Sequence, residues 1–342
     1  MTDKPSYFRL FANCVLVKGH SRSTICDLQS GEIHFVPNDL LELLNTYQNQ
    51  PLAKVKEDYD AVDHHTIDEY YRFLVDNQLG MFYYSEELAL FPNLNLAFQS
   101  PAVIHNAILD VGEDQFDYTN VIAELSMLGC AAVQVRIFTV ASLVSLESLL
   151  KKFQQSRIKS IELFVRYCPE LRYQAVNELI TRHSRITNVV IHTAPTVSAQ
   201  CAEADPQVSV TFTREEIRDE THCGFIDPAY FSINISHFAE ALVANTCLNK
   251  KIAVDRWGFI KNCPAMSASF GHITHTSLLS VVSDPMFTNA WAIHKDQITV
   301  CMDCEFRYVC SDCRALLSEP QDMLSKPQRC GYNPYTAEWH ND

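Results

Sequence analysis

The sequence predicts an α/β protein in three parts. Two observations carry this. Between residues 101 and 222, strand-like apolar segments alternate with amphipathic helical segments, the pattern of a mostly parallel sheet with helices outside it. Beyond residue 223 the periodicity fades, and eight of the thirteen cysteines crowd between there and residue 330. A smaller αβ unit occupies residues 1–85. Residues 86–100, with Pro92 and few charges, read as a linker. A chain of 342 residues has the length for two or three domains at about 150 residues each.

In the first unit, residues 8–17, 23–28 and 32–36 are β-rich, and Ser30-Gly31 makes a turn between the last two. Pro37-Asn38 opens a helix with Leu40, Leu41, Leu44 and Tyr47 on one face. Thr66-Ile67-Asp68-Glu69 has the form of a capping box for a second helix. Gly80 is read as its stop, and 81–84 as a returning strand. In the second part, strands are expected at 102–111, 131–138, 160–167, 188–193 and 208–213. Helices are expected at 116–128, around Leu146–Phe153 spacing, and at 171–182. About five strands imply an open sheet or a partial barrel, short of the eight of a closed one. No glycine-rich phosphate loop is present.

The net charge is −14, which repels phosphate backbones and argues against nucleic acid or an anionic membrane as partner. No apolar run nears the roughly 20 residues that span a bilayer. Met1-Thr2-Asp3-Lys4-Pro5-Ser6 lacks the charged-then-apolar build of a secretory signal, so the expected location is the cytoplasm. A reducing cytosol does not keep structural disulfides, so dense cysteines there point to metal or redox chemistry. Cys14, Cys26, Cys130, Cys168 and Cys201 are scattered and read as ordinary thiols, Cys14 and Cys130 within apolar runs.

The late cysteines have a pattern. Cys247 is followed after ten residues by Gly258 and after four more by Cys263. Cys301, Cys304, Cys310 and Cys313 then follow with gaps of two, five and two, and Cys330 closes the set. Thiolates two residues apart bring both sulfurs to one side of a tight turn and can share one centre. The ligands suffice for two sites.

These seven positions resemble the SPASM domain, the C-terminal extension of many radical SAM peptide-modifying enzymes. Val254-Asp255-Arg256-Trp257-Gly258-Phe259-Ile260 resembles that domain's strand–turn–strand before its second cysteine, and Phe270-Gly271-His272-Ile273 resembles its following Gly-Asn/His-Ile. The resemblance implies interleaved ligands for two auxiliary 4Fe–4S clusters. Cys301, Cys304, Cys310 and Cys330 hold one, while Cys247, Cys263 and Cys313 hold the other. Ala241 stands where the missing fourth ligand is often found. Cys223, in His222-Cys223-Gly224, is the expected substitute, with His237 or an open, substrate-facing iron as alternatives. Two zinc sites of four thiolates each would use the same residues.

The radical SAM motif itself is missing. Asp110-Val111-Gly112-Glu113-Asp114-Gln115-Phe116 follows the first strand without a cysteine, and no three cysteines anywhere are spaced four and then three apart. The middle part therefore resembles a partial (β/α) radical SAM barrel without its reductive centre. The first unit resembles a winged-helix-like peptide-recognition domain, in which a leader peptide adds to a sheet edge. A DNA-binding winged helix or a plain packing domain are the alternatives for it, and no basic recognition helix is visible. Together, with Lys326-Pro327-Gln328-Arg329-Cys330-Gly331-Tyr332-Asn333-Pro334-Tyr335-Thr336 near the end, the parts resemble the SPASM domain peptide maturases of grasp-with-spasm systems. That resemblance implies a precursor peptide and an ATP-grasp ligase as partners. Whether such a chain catalyses anything is open, and no catalytic residue is assigned. The alternative is a non-catalytic, zinc-stapled adaptor that presents the peptide to the ligase. An unrelated metal-dependent redox enzyme is a third reading.

Other candidates are duller. His64-His65 reads as a solvated loop end, and His105, His183 and His192 have no nucleophile matched to them. The run from Arg214 to Glu220 reads as a solvated face of mixed charge. Asp303, Glu305, Arg307, Asp312 and Arg314 either tune a centre from behind its ligands or solubilise a loop.

Overall fold

The computed structural model describes residues 6–112 and 116–340. Residues 113–115, within the cysteine-free segment after the sheet's first strand, and the N-terminal residues 1–5 lie outside the described residues. Among the described residues no helix is long and apolar enough to cross a membrane.

The first unit runs β1 (Ser6–Leu10), β2 (Cys14–Val17), β3 (Ser23–Asp27), β4 (Glu32–Val36), α1 (Asn38–Thr46), α2 (Leu52–Glu57), α3 (His64–Asp76) and β5 (Gly80–Tyr84). The single strand expected at 8–17 is two strands. The Cys14 N–H donates to the Phe11 carbonyl at 2.9 Å and turns the chain between them. β1 then pairs antiparallel with β5, while β2, β3 and β4 form a separate three-stranded antiparallel sheet. The capping box does not form. α3 begins two residues earlier, where a His64 ring nitrogen lies 2.8 Å from the Lys56 carbonyl. Gly80 is not the helix stop either, since α3 ends at Asp76. Gly80 belongs to β5, where an added Cβ would lie 2.4 Å from the Arg9 carbonyl oxygen. Leu40, Leu43, Ile67, Tyr71 and Leu74 close over Phe8 and Ile25 as this unit's core.

The middle part runs β6 (Asn106–Asp110), α4 (Thr119–Met127), β7 (Ala132–Val140), α5 (Leu143–Lys152), β8 (Ser160–Arg166), α6 (Tyr173–Arg182), β9 (Ile186–His192), β10 (Ser198–Cys201) and β11 (Ser209–Phe212). All five expected strands are there and run parallel. The sheet is larger than they make it. After α7 (Ile235–Ala241), β12 (Lys251–Val254) from the cysteine-rich segment adds in parallel beside β6. β13 (Ile260–Lys261) and β10 add antiparallel edges, giving the order β10-β11-β9-β8-β7-β6-β12-β13.

Strand periodicity divides this sheet into two faces. Ala107, Leu109, Val133, Val135, Ile161, Leu163 and Val165 pack against helix residues such as Ile122, Leu125, Leu150 and Ile180. A fully buried side chain of this size is worth about 1.5–3 kcal/mol, so this apolar side holds the part together. The alternate residues face the other way and are largely polar. Asn106, Asp110, Gln134, Arg136 and Glu162 are among them. Parallel register sets Ile108, Gln134, Glu162 and Asn188 side by side, and the Gln134 amide donates to Glu162 at 3.0 Å. The cysteine-rich segment covers this polar face. It finishes with a short hairpin, β14 (Tyr332–Asn333) and β15 (Glu338–Trp339).

Candidate metal centre

The eight late cysteines separate into two sets. Cys223, Cys247, Cys263 and Cys313 line one cavity of about 480 Å³ against the polar face of β6, β7 and β8. Asn106, Gln134, Arg136 and Glu162 form its floor. The local chain explains each position. The Asn245 side chain accepts from the backbone N–H groups of Cys247 at 3.0 Å and Leu248 at 2.8 Å, folding a turn that presents Cys247. Asp255 accepts from the N–H groups of Trp257 and Phe259 at 3.0 and 2.9 Å, and Gly258 supplies the positive φ of 84° that closes the β12–β13 turn before Cys263. His272 packs on this turn, a ring nitrogen 2.8 Å from the Trp257 carbonyl, so the segments 254–260 and 270–273 meet. Arg329 donates to the carbonyls of Thr221 and Cys223 at 2.8 and 2.6 Å and lies over Phe225. Gly224, at a φ of 80°, lets the chain pass Cys313: an added Cβ would stand 2.8 Å from its sulfur.

Cys301, Cys304, Cys310 and Cys330 form the other set, on the side facing the N-terminal unit. A 3₁₀ turn at Cys301–Asp303 lets the Cys304 N–H donate to the Cys301 carbonyl at 3.0 Å. The Phe306 N–H lies 3.4 Å from the Cys304 sulfur. Cys330 bridges to Ile226, next to the Cys223 loop. The turn before β3 and the first residues of β3 grip this set from outside. His20 N–H donates to the Asp303 carbonyl at 2.8 Å, Thr24 Oγ1 to the Glu305 carbonyl at 3.0 Å, and Arg22 Nε to the Glu305 carboxylate at 2.8 Å. Tyr332 also donates to Glu305.

Electrostatics respect the same division. Burial pushes the Cys263 thiol up to about 12, with Cys247 and Cys223 adding to it. Burial also pushes Cys310 to about 12, with Cys330 and Cys301 adding to it and Lys295 opposing. Cys304 is raised by burial and then by Glu305, Cys310 and Cys301. Cys313, three residues beyond Cys310, feels Cys247 instead. Such thiols stay protonated at neutral pH unless a cation displaces the proton.

The donors suit a thiolate-held centre in each set. Among the described residues, no group of three or more His, Cys, Asp or Glu side chains is drawn closely enough to hold a single metal ion. The four sulfurs of the first set stand around a cavity. Of the alternatives for the fourth position, Cys223 lines that cavity, whereas His237 packs by the Cys310 backbone with Nε2 buried and unpartnered.

The remaining expectations sort clearly. Glu305, Asp312 and Arg314 are buried, so they do not solubilise a loop. Asp312 accepts from Arg314 at 2.8 Å and from Asn245 at 2.5 Å, and Arg307 bonds Asp296 at 2.9 Å. Asp303 accepts from Tyr335 at 2.8 Å. Cys14, Cys26, Cys130 and Cys168 are buried free thiols, and Cys201 is exposed. His105 pairs with Ser100, and His65 lies 3.5 Å from Glu69 on the surface of α3.

Sequence reading missed the buried Asp110–Arg136 pair, joined by two hydrogen bonds of 2.6 and 2.7 Å at the edge of the cavity. Its signal was present: Gln134, Arg136 and Glu162 recur at every second place within apolar strands. Lys251 and Lys295, the cations beside the two sets, had no such signal.

No family model matches the chain, and no curated protein does. Among solved structures it is similar to Streptococcus suis SuiB bound to S-adenosylmethionine, at 11% identity and a TM-score of 0.43. That match covers 94% of this chain and 99% of the other. It is also similar to SuiB bound to its precursor peptide SuiA, at 9% identity and a TM-score of 0.35, with the same coverage.

Proposed function

We propose that this chain is a cytosolic maturation factor for a ribosomally made precursor peptide, working with an ATP-grasp ligase. It holds two auxiliary 4Fe–4S clusters and does not cleave SAM. Cys301, Cys304, Cys310 and Cys330 hold one cluster; Cys247, Cys263, Cys313 and Cys223 hold the other. The observation that carries the reading is the parting of Cys310 from Cys313. Interleaved ligation requires neighbours in sequence to serve different centres, and these two thiols stand in different sets. When bound, such clusters supply electron transfer or Lewis-acid contact. The chain's own part is to exclude water from the sulfurs and to present the polar sheet face to a substrate. The N-terminal unit supports peptide recognition through its three-stranded sheet, whose edges are β2 and β4.

Anaerobic purification with iron, sulfide and zinc analysis tests this. About eight irons per chain, with matching sulfide, is the expected result. About two zincs and no sulfide would favour the zinc-stapled adaptor. Co-purification with the neighbouring ATP-grasp protein and its precursor tests the partners, and retention of neither overturns that part.

A further inference from the structure

Each thiol set carries one lysine of its own. Lys251 lines the first cavity, and its ammonium is 3.7 Å from the Cys247 sulfur. Its hydrogen-bond partner among the described residues is thus a sulfur, with the Glu240 carboxylate acting on it only through space. Lys295 is buried, with its ammonium 3.5 Å from the Cys310 sulfur and 3.6 Å from Asp312. That carboxylate is already shared. Arg314, also buried, donates to it at 2.8 Å, and Asn245 at 2.5 Å. Two buried cations, Lys295 and Arg314, therefore face one buried anion, Asp312. One positive charge is left over beside Cys310.

An ammonium away from water, as at Lys295, is tolerated only against opposite charge, and the half-buried Lys251 gains from the same pairing. Neutral thiols do not provide it. Four thiolates around a zinc ion or an oxidised 4Fe–4S cluster do, because they leave the centre net negative. We infer that Lys251 and Lys295 are built-in counter-cations, one to each thiolate centre, positioned to hold it in the chain and to favour its reduction. The inference rests on the metal-binding reading above and adds to it the sign of the charge that each site is made to accept.

Asn245 joins the two environments. Its amide donates to Asp312, on the Lys295 side, while its carbonyl oxygen shapes the Cys247 turn. The lysines are nevertheless separate devices, because each touches a sulfur of only one set.

The test uses the full chain, purified or reconstituted anaerobically, with Lys251→Met, Lys295→Met and the matching Lys→Arg variants. Iron, zinc and sulfide content, chelator-driven metal loss, and potentials from EPR-monitored titration are the readouts. Each Met variant should lose metal from one centre about tenfold faster. It should move the potential of that centre alone in the negative direction, and Arg should restore both. Thermal melts of the Arg and Met pairs separate misfolding from charge. If the chain holds zinc, the chelator arm carries the same expectation. A loaded wild type whose potentials and metal retention are matched by both Met variants overturns this inference alone. A wild type that binds neither iron nor zinc overturns the metal reading with it.

Discussion

The two thiol sets are built from one stretch of chain, yet they face different surroundings. Cys223, Cys247, Cys263 and Cys313 border a cavity floored by the polar face of the sheet. Cys301, Cys304, Cys310 and Cys330 are closed in by the turn before β3 and the first residues of β3, and by Phe231, Phe306, Tyr332 and Trp339. The difference assigns different physical tasks. A set with space beside it can meet another molecule. A set packed under aromatic rings and gripped by a second structural unit is held from outside by that unit.

The largest expected effect separates the sets outright. On the proposed two-cluster reading, Cys310→Ser and Cys313→Ser, three residues apart, should each lower iron from about eight to about four per chain. The remaining EPR signal should differ between them, and Cys330→Ser should match the first while Cys263→Ser matches the second. Identical residual spectra from Cys310→Ser and Cys313→Ser would mean that one centre uses both, and the division would fail.

That division shows what was legible in the sequence and what was not. Spacing alone makes Cys310 and Cys313 look like partners, as it does Cys301 and Cys304; only the resemblance to a known domain separates them. The physical cause lies between them. Asp312 is pulled inward by Arg314 and Asn245, and the turn sends Cys313 towards Gly224. The parallel strands were legible because period-two burial and apolar runs coincide there. β12 carries too little pattern of its own in four residues beginning with Lys251; the resemblance at Val254–Ile260 implied a strand–turn–strand there, but not that its first strand would pair with β6. The polar alternation that carries Arg136 was legible, but its partner was not, for a similar reason. Asp110 and Arg136 are 26 residues apart, and register across two strands, not local sequence, brings them together.

The second effect bears on the open set. Arg136→Met leaves Asp110 buried without its partner, which should cost about 3–5 kcal/mol in urea unfolding. Asp110→Leu combined with Arg136→Met should recover most of that loss. Because Arg136 lines the cavity, the single variant should also speed metal loss from the Cys263 set before the Cys310 set. A smaller effect bears on the closed set. Glu305→Gln keeps the shape but weakens the bonds from Arg22 and Tyr332, for about 1–2 kcal/mol, Arg22 being partly in water. Hydrogen exchange should rise in β3 and around Cys304 while β7 and β8 stay protected. Equal loosening on both sides would show that the N-terminal unit does not report to one set in particular.

The smallest effect asks whether acid loosens the sheet side on its own. His192, at the end of β9, is wholly buried, and its imidazole is held below the ordinary value chiefly by burial, with Arg166 and His222 adding to the effect and the Ile137 backbone and Glu216 opposing it. Its Nδ1 lies 3.1 Å from Thr193 Oγ1. The unfolded chain takes up a proton near pH 6.5, while the folded chain does so only at lower pH. Between those values the unfolded state binds more protons, so stability rises with pH there. The contribution of the neutral ring is therefore present above about 6.5 and is lost as pH falls through that value towards the folded one. His192→Gln should lower stability at pH 7.5 modestly and flatten its decline between pH 7 and 5. Urea unfolding across that range checks the slope, and hydrogen exchange in β9 and β11 locates it. An unchanged slope in the variant would mean that the acid sensitivity of the sheet side comes from other buried groups, with His183 and His105, both also lowered by burial, the next to replace.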